Sequence, residues 1–169
     1  MNNPIDYIKN WRESFGLPVR TETQIPSKEE MKLALSLIAE ELEELDDAIM
    51  GDLGAGTWHT EAIKLNEVAD AIGDLYFVVS QMAFIFGFKP EELIKTVYES
   101  NMSKLDDNEE AAFDTIDRYA EKNINVYSEE LPNGKYIIKR VSDNKVQKGN
   151  NFFEPKWTYD KTRNTEETK

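Results

Sequence analysis

Residues 33–49, LALSLIAEELEELDDAI, carry a helical period with no breaker, yet their acids do not keep to one watery edge. With side chains about 100° apart around a helix, Leu35, Ile38, Leu42, Leu45 and Ile49 form one apolar stripe. Glu40, Glu41 and Glu44 fall on roughly the opposite side, which they share with Leu33, Ala34, Leu37 and Ala48. A solvated edge would continue polar above and below its charges. This one does not, so the fold must bring something to a face that is both greasy and acidic. Glu43, Asp46 and Asp47 project off that cluster and read as ordinary surface acids.

A second stretch repeats the pattern. In NEVADAIGDLYFVV, Glu67, Asp70 and Asp74 are spaced i, i+3, i+7 and share a face with Ile63 and Phe77. The helix that carries them is expected from about His59 to Phe86, ended by Gly87, with its later half apolar nearly all round. Joined by a loop of about ten residues around GDLGAG, the two helices can lie antiparallel and face their acids at each other. Carboxylates gathered in a bundle core repel unless cations neutralise them. All-oxygen donors favour a hard cation, Mg²⁺ or Mn²⁺, and Mg²⁺ characteristically completes its shell with substrate phosphates. The acids are therefore expected to face inward and hold metal for phosphate chemistry.

Composition supports that direction by exclusion. With 33 acidic and 20 basic side chains, a net charge of −13 makes nucleic-acid backbones and anionic lipid poor partners. There is no cysteine and one histidine, His59, so thiolate chemistry and multi-histidine metal sites are absent. The N-terminus has no signal-peptide pattern, and the run YFVVSQMAFIFGF is too short and polar-flanked to span a bilayer. A cytoplasmic protein is expected.

The remaining chain reads as mainly α. Asn3 caps a first helix, Pro4 opens it and Gly16 stops it; Ile5, Ile8, Trp11, Arg12 and Phe15 form its apolar side. Ser27 with Glu30 forms a capping box at the head of the helix running from Lys28 to Met50. Pro90 opens a fourth helix, to about Leu105, and a fifth follows near Asn108 to Lys122. After Asn123 the pattern alternates around Pro132-Asn133-Gly134 and Ser142-Asp143-Asn144, giving two or three short antiparallel strands. The expected organisation is a four- to five-helix bundle over 1–123, a small β hairpin or meander over 124–157 and a disordered tail over 158–169. Trp11, Phe15, Trp58, Tyr76 and Tyr98 read chiefly as packing residues, and His59 as a surface or capping residue.

EELEEL followed by EVADAIGDLYFV resembles the all-α nucleoside triphosphate pyrophosphohydrolases, among them MazG-like proteins and phosphoribosyl-ATP pyrophosphohydrolase. Their signature, EExxE, a spacer, then ExxD, is matched by Glu40, Glu41, Glu44, Glu67 and Asp70. ESNMSK in the fourth helix is a further point of likeness, and the FGLPV turn resembles a segment flanking the substrate pocket in close relatives. The resemblance covers about residues 1–105 well and the strand-rich region more loosely. It implies a Mg²⁺-dependent cleavage between the α and β phosphates of a (deoxy)nucleoside triphosphate, and a homodimer. Glu41, Glu44, Glu67 and Asp70 would be metal ligands, with Glu40 a further ligand or the base; Glu40 and Glu41 are the catalytic candidates. Asn101 and Lys104, which share a helix side, would bind substrate. Asp74 would be a supporting acid or an additional ligand, and the phrase GDL leaves the register between Asp70 and Asp74 open. Two alternatives stand beside this reading: phosphoribosyl-ATP as the substrate, or a non-enzymatic adaptor that binds divalent cations.

Overall fold

The computed structural model describes residues 3–50 and 63–159. The expected GDLGAG break, Trp58, His59 and nearly all of the expected disordered tail lie outside them. Mainly helical, the described residues form five helices and a two-stranded antiparallel sheet toward the C-terminus. The helices are α1 (Pro4–Ser14), α2 (Lys28–Met50), α3 (Leu65–Phe86), α4 (Pro90–Met102) and α5 (Glu109–Ala120); the strands are β1 (Val126–Glu130) and β2 (Tyr136–Arg140).

The sequence signals that start and stop these elements operate as capping chemistry. Asn3 Oδ1 accepts from the Ile5 N–H at 3.1 Å. At the head of α2, the Ser27 N–H donates to Glu30 Oε2 at 3.0 Å while the Glu30 N–H donates to Ser27 Oγ at 3.2 Å. Each satisfies a backbone donor that the first helical turn leaves unpaired. Asn108 Oδ1 accepts from the Ala111 N–H at 2.9 Å to begin α5. The start of α3 differs from expectation, since Ile63 and Lys64 precede the helix and Lys64 offers no side-chain cap.

The chain divides into two compact units. In the first, which runs to Glu92 and takes in Tyr159, α3 is central. Ile5 and Ile8 of α1 pack with Phe84 of α3, and Val19 and Phe77 close around them. The Trp11 ring meets Phe77 edge-on, with centroids 5.3 Å apart. α2 packs along α3, and its direction follows from its neighbours. Leu33, Ala34 and Leu37 share a cleft with Val78, Gln81, Met82 and Ile85, whereas Glu41 further along α2 feels Asp70 and Asp74, further back on α3. The two helices are antiparallel.

Between α1 and α2 the chain is strapped to the end of α3. The Gln24 N–H donates to the Phe86 carbonyl at 3.0 Å, and Arg20 Nη1 donates to the Ile85 carbonyl at 2.7 Å. Gly87, at φ +72°, lets this strap approach, because a Cβ there would lie 2.0 Å from the Glu22 carbonyl oxygen. Although α3 is long and apolar enough to cross a membrane, it is the core helix here, packed by α1 and α2 and carrying Glu67, Asp70 and Asp74 on its first half.

The second unit, Leu93–Thr158, joins α5 to the hairpin. Val126 pairs with Arg140 and Glu130 with Tyr136. The intervening turn uses Gly134 at φ +76°, at the position expected from Pro132-Asn133-Gly134. Val146 contributes an isolated bridge to Lys139 rather than a third strand.

Candidate active site

Which face of α2 meets α3 answers the puzzle set by its sequence. Ala34, Leu37, Glu41 and Ala48 recur at helical spacing, with Ala48 buried and the other three half-buried. From the apolar stripe, Leu35 and Leu42 are each 55 % exposed, while Ile38, Leu45 and Ile49 are half-buried. The seam with α3 is thus built on the acidic side of α2. Small Ala side chains let the helices approach, and Glu41 projects where they meet.

On the other side of the seam stand Asp70 and Asp74. Burial pushes the Glu41 carboxyl above its ordinary range, and Asp74, Glu44, Glu40 and Asp70, in that order, push it further. A carboxylate is harder to ionise when it is desolvated and ringed by like charge. The fold therefore brings together Glu40, Glu41 and Glu44 from one helix with Asp70 and Asp74 from the other. Asp74, given a supporting role from its sequence, outweighs Asp70 in its effect on Glu41.

Two expectations are corrected. Glu40, Glu44, Glu67, Asp70 and Asp74 are exposed rather than embedded, so only Glu41 is partly withdrawn from water. The reason is that residues flanking the other acids, such as Leu42 and Ile72, are themselves uncovered. Glu67 points toward its own helix start, where Lys64 Nζ pairs with its Oε2 at 3.0 Å. Among the described residues, no three acidic side chains close on a common point as a finished metal cage. Glu43, Asp46 and Asp47 are exposed, as expected of surface acids. Tyr76 and Tyr98, expected to pack, are exposed as well.

Asn101 and Lys104 lie in the second unit, where Lys104 Nζ donates to Asn101 Oδ1 at 2.7 Å. Their i, i+3 spacing does put them on one side. The roles expected of them, Asn101 at the metal or nucleotide edge and Lys104 at a phosphate, rest on the resemblance alone.

One turn along the seam from the acids, the first unit holds an apolar cleft of about 260 Å³. Leu37, four residues before Glu41, and Val78, four residues after Asp74, both line it, together with Trp11, Leu33 and Met82. Its polar residues are Arg12, Gln81 and Glu30. Leu17 and Pro18 of the FGLPV turn, which the resemblance sets beside a substrate pocket, also line it; periodicity alone did not find the cleft, although Arg12 on the apolar side of the first helix was a signal. Arg12 as a whole is only 4 % exposed. Burial and the neighbouring Arg20 press it below its ordinary value, with Glu30 opposing.

The sequence model of the phosphoribosyl-ATP pyrophosphohydrolase family matches residues 9–101, more than half of the 169-residue chain. The chain belongs to this family. That places it in the all-α, MazG-like pyrophosphohydrolase superfamily, and the match takes in both acidic helices and most of α4. An uncharacterised protein of the Acanthamoeba polyphaga mimivirus is 27 % identical over 140 residues, or 80 % of this chain. The chain spans about half that relative's length, 48 %.

Proposed function

We propose that the protein is a metal-dependent nucleotide pyrophosphohydrolase that cleaves a (deoxy)nucleoside triphosphate between its α and β phosphates. The observation that carries this reading is Glu41, half-buried on the α2–α3 seam with Glu40, Glu44, Asp70 and Asp74 all raising its carboxyl. Such a set of hard oxygen donors, crowded by like charge, suits Mg²⁺ or Mn²⁺. Glu41, Glu44, Glu67 and Asp70 would hold the ion, with Asp74 beside them; Glu67 would exchange Lys64 for it. Bound there, the cation would offset charge on the phosphates and lower the pKa of water.

The chain's own part is positioning and proton transfer. Glu40 takes a proton from the attacking water as its oxygen bonds to the α phosphorus. The bond from that phosphorus to the bridging oxygen breaks, and pyrophosphate leaves with the bridging oxygen. A nucleoside monophosphate remains.

The test is a pyrophosphate-release screen over canonical and noncanonical nucleoside triphosphates and phosphoribosyl-ATP, with Mg²⁺, with Mn²⁺ and with chelator. Phosphoribosyl-ATP is a second substrate reading, favoured by the name of the matching family. Release from one or more of these only with metal supports the proposal. Cation binding without release from any of them would leave the adaptor.

We also propose a homodimer. Leu35 and Leu42 on α2, with Ile72 and Val79 on α3, are each about half exposed and form apolar rows that no described residue covers. A second copy would cover such rows. Light scattering should give twice the chain mass, and Leu42→Glu should give one. The function suits a cytoplasmic enzyme.

A further inference from the structure

The cleft beside the acids contains a polar pair whose orientation the fold fixes. Arg12 Nε and Nη2 both donate to the Pro18 carbonyl, at 3.1 and 2.9 Å, which locks the guanidinium in place. Its Nη1 donates to Gln81 Oε1 at 3.1 Å. An amide's oxygen and nitrogen are ordinarily assigned from their partners. A guanidinium has donors only, so it settles the choice here: a turned amide would set N–H against N–H. The Gln81 oxygen is held toward Arg12, and Nε2 makes no hydrogen bond among the described residues.

Around this donor the walls are mostly apolar, Trp11, Leu33, Leu37, Val78 and Met82, and the one carboxylate among them, Glu30, already accepts from Arg20 and the Ser27 N–H. The volume of about 260 Å³ lies just under the roughly 300 Å³ at which small-molecule pockets begin. It suits one planar heterocycle rather than a whole nucleotide. Cleft and acids are successive positions on one seam, about one helical turn or 5 Å apart. A nucleotide with its phosphates at Glu41 and Asp74 can direct its base into the cleft, with the pentose between.

We propose that the cleft takes the substrate's nucleobase and that Gln81, oriented by Arg12, selects bases presenting a carbonyl oxygen over those presenting an amino group there. The favoured class presents O4 or O6, as uracil, thymine, hypoxanthine and guanine do; the disfavoured class presents N4–H₂ or N6–H₂, as cytosine and adenine do. This names the substrate class of the activity proposed above and rests on it for the phosphate end only. An amino base would set its N–H against Gln81 Nε2 and leave two desolvated donors unpaired, whereas a keto base accepts from it. Gln81 is the specificity residue and Arg12 its positioning residue.

Binding is tested without metal, phosphate or turnover. In ¹⁵N-labelled protein the Gln81 side-chain amide pair is identified by its loss in Gln81→Leu. Uridine and inosine should shift that pair, and bind about tenfold or more tighter than cytidine and adenosine, the worth of one hydrogen bond. Gln81→Leu should erase the preference. Gln81→Glu keeps the shape and the Arg12 partner but presents an acceptor, so it should reverse the preference. Equal affinities, an amino preference in the wild type, a preference that survives Gln81→Leu, or no nucleoside shifting the pair would each overturn the proposal. Kinetics separate it from the activity itself, using kcat/KM for dUTP against dCTP and dITP against dATP. Turnover without keto preference sinks the base assignment alone. Keto-selective binding without turnover of any nucleotide sinks the pyrophosphohydrolase reading and leaves the base site standing.

Discussion

Glu41 faces Asp74 across the α2–α3 seam, and after burial itself Asp74 does most to hold the Glu41 carboxyl above its ordinary range. The folded protein therefore binds a proton at Glu41 more readily than the unfolded chain does. Such a group's favourable contribution is present below its unfolded pKa and is lost as pH rises through the folded value. At neutral pH the ionised cluster opposes folding.

Glu41→Gln removes that repulsion at nearly constant volume. Without metal, the variant should melt at or above the wild-type temperature at neutral pH, with the advantage closing in acid. Its pyrophosphate release should fall by roughly 100-fold or more if Glu41 is a metal ligand or catalytic group. Glu43→Gln, on the exposed side of the same turn, should change neither. Equal activity in both variants would remove Glu41 from the chemistry.

Added Mg²⁺ or Mn²⁺ should reverse the electrostatic penalty by binding the folded state alone. Thermal melts should rise with metal concentration in the wild type and hardly move in Glu41→Gln. Chelator should abolish pyrophosphate release and added metal restore it. A melting temperature indifferent to both ions would count against the acidic seam as a metal site.

The helices were legible because their signals are local: Asn3, the Ser27–Glu30 pair, Asn108 and Gly87 act within a turn or two of themselves. So was the pairing of acidic helices, since two greasy, acidic faces on neighbouring helices have few other ways to pack. What periodicity could not decide was which of two apolar rows on α2 is covered within the chain. Leu35–Leu42 looks more hydrophobic than Ala34–Ala48, yet close approach of helices selects for small residues. Nor could it show the cleft, because Arg12, Pro18 and Gln81 meet only through the strap between α1 and α2. Arg12 and Gln81 are 69 residues apart in sequence.

The opposite pH dependence is expected at Glu30. Burial alone would raise its carboxyl, but the Ser27 N–H, the Arg20 guanidinium and the Ser27 hydroxyl outweigh it and hold the group below its ordinary value. Arg20 Nη2 sits 2.7 Å from Glu30 Oε1. Between the folded and unfolded pKa values the unfolded chain binds more protons, so acid favours unfolding. The stability gap between wild type and Glu30→Gln should be full above the ordinary glutamate range, about pH 4.3, and close as pH falls below it. Denaturant melts from pH 7 to 3 measure the gap, and one that widened in acid would refute the assignment.

Three glycines make a graded test of how the strap is held. Gly73, inside α3, has nothing within 4 Å of a Cβ, so Gly73→Ala should stabilise the helix by roughly 0.5–1 kcal/mol. Gly134 has the same open space but φ +76°, so Gly134→Ala should cost about 1 kcal/mol of backbone strain. Gly87 combines φ +72° with a Cβ only 2.0 Å from Glu22 O and 2.6 Å from Glu22 C. Backbone atoms cannot swing aside as a side-chain tip can. Gly87→Ala must either displace the strap or bend the end of α3, at a cost of about 3 kcal/mol or more. Displacement would also disturb Pro18, whose carbonyl anchors Arg12. At temperatures where Gly87→Ala is still folded, its nucleoside binding should weaken while metal-induced stabilisation at the acids persists. Chemical denaturation of the three variants gives the ranking directly. A Gly87→Ala protein no less stable than Gly134→Ala would show that the strap does not depend on that close approach.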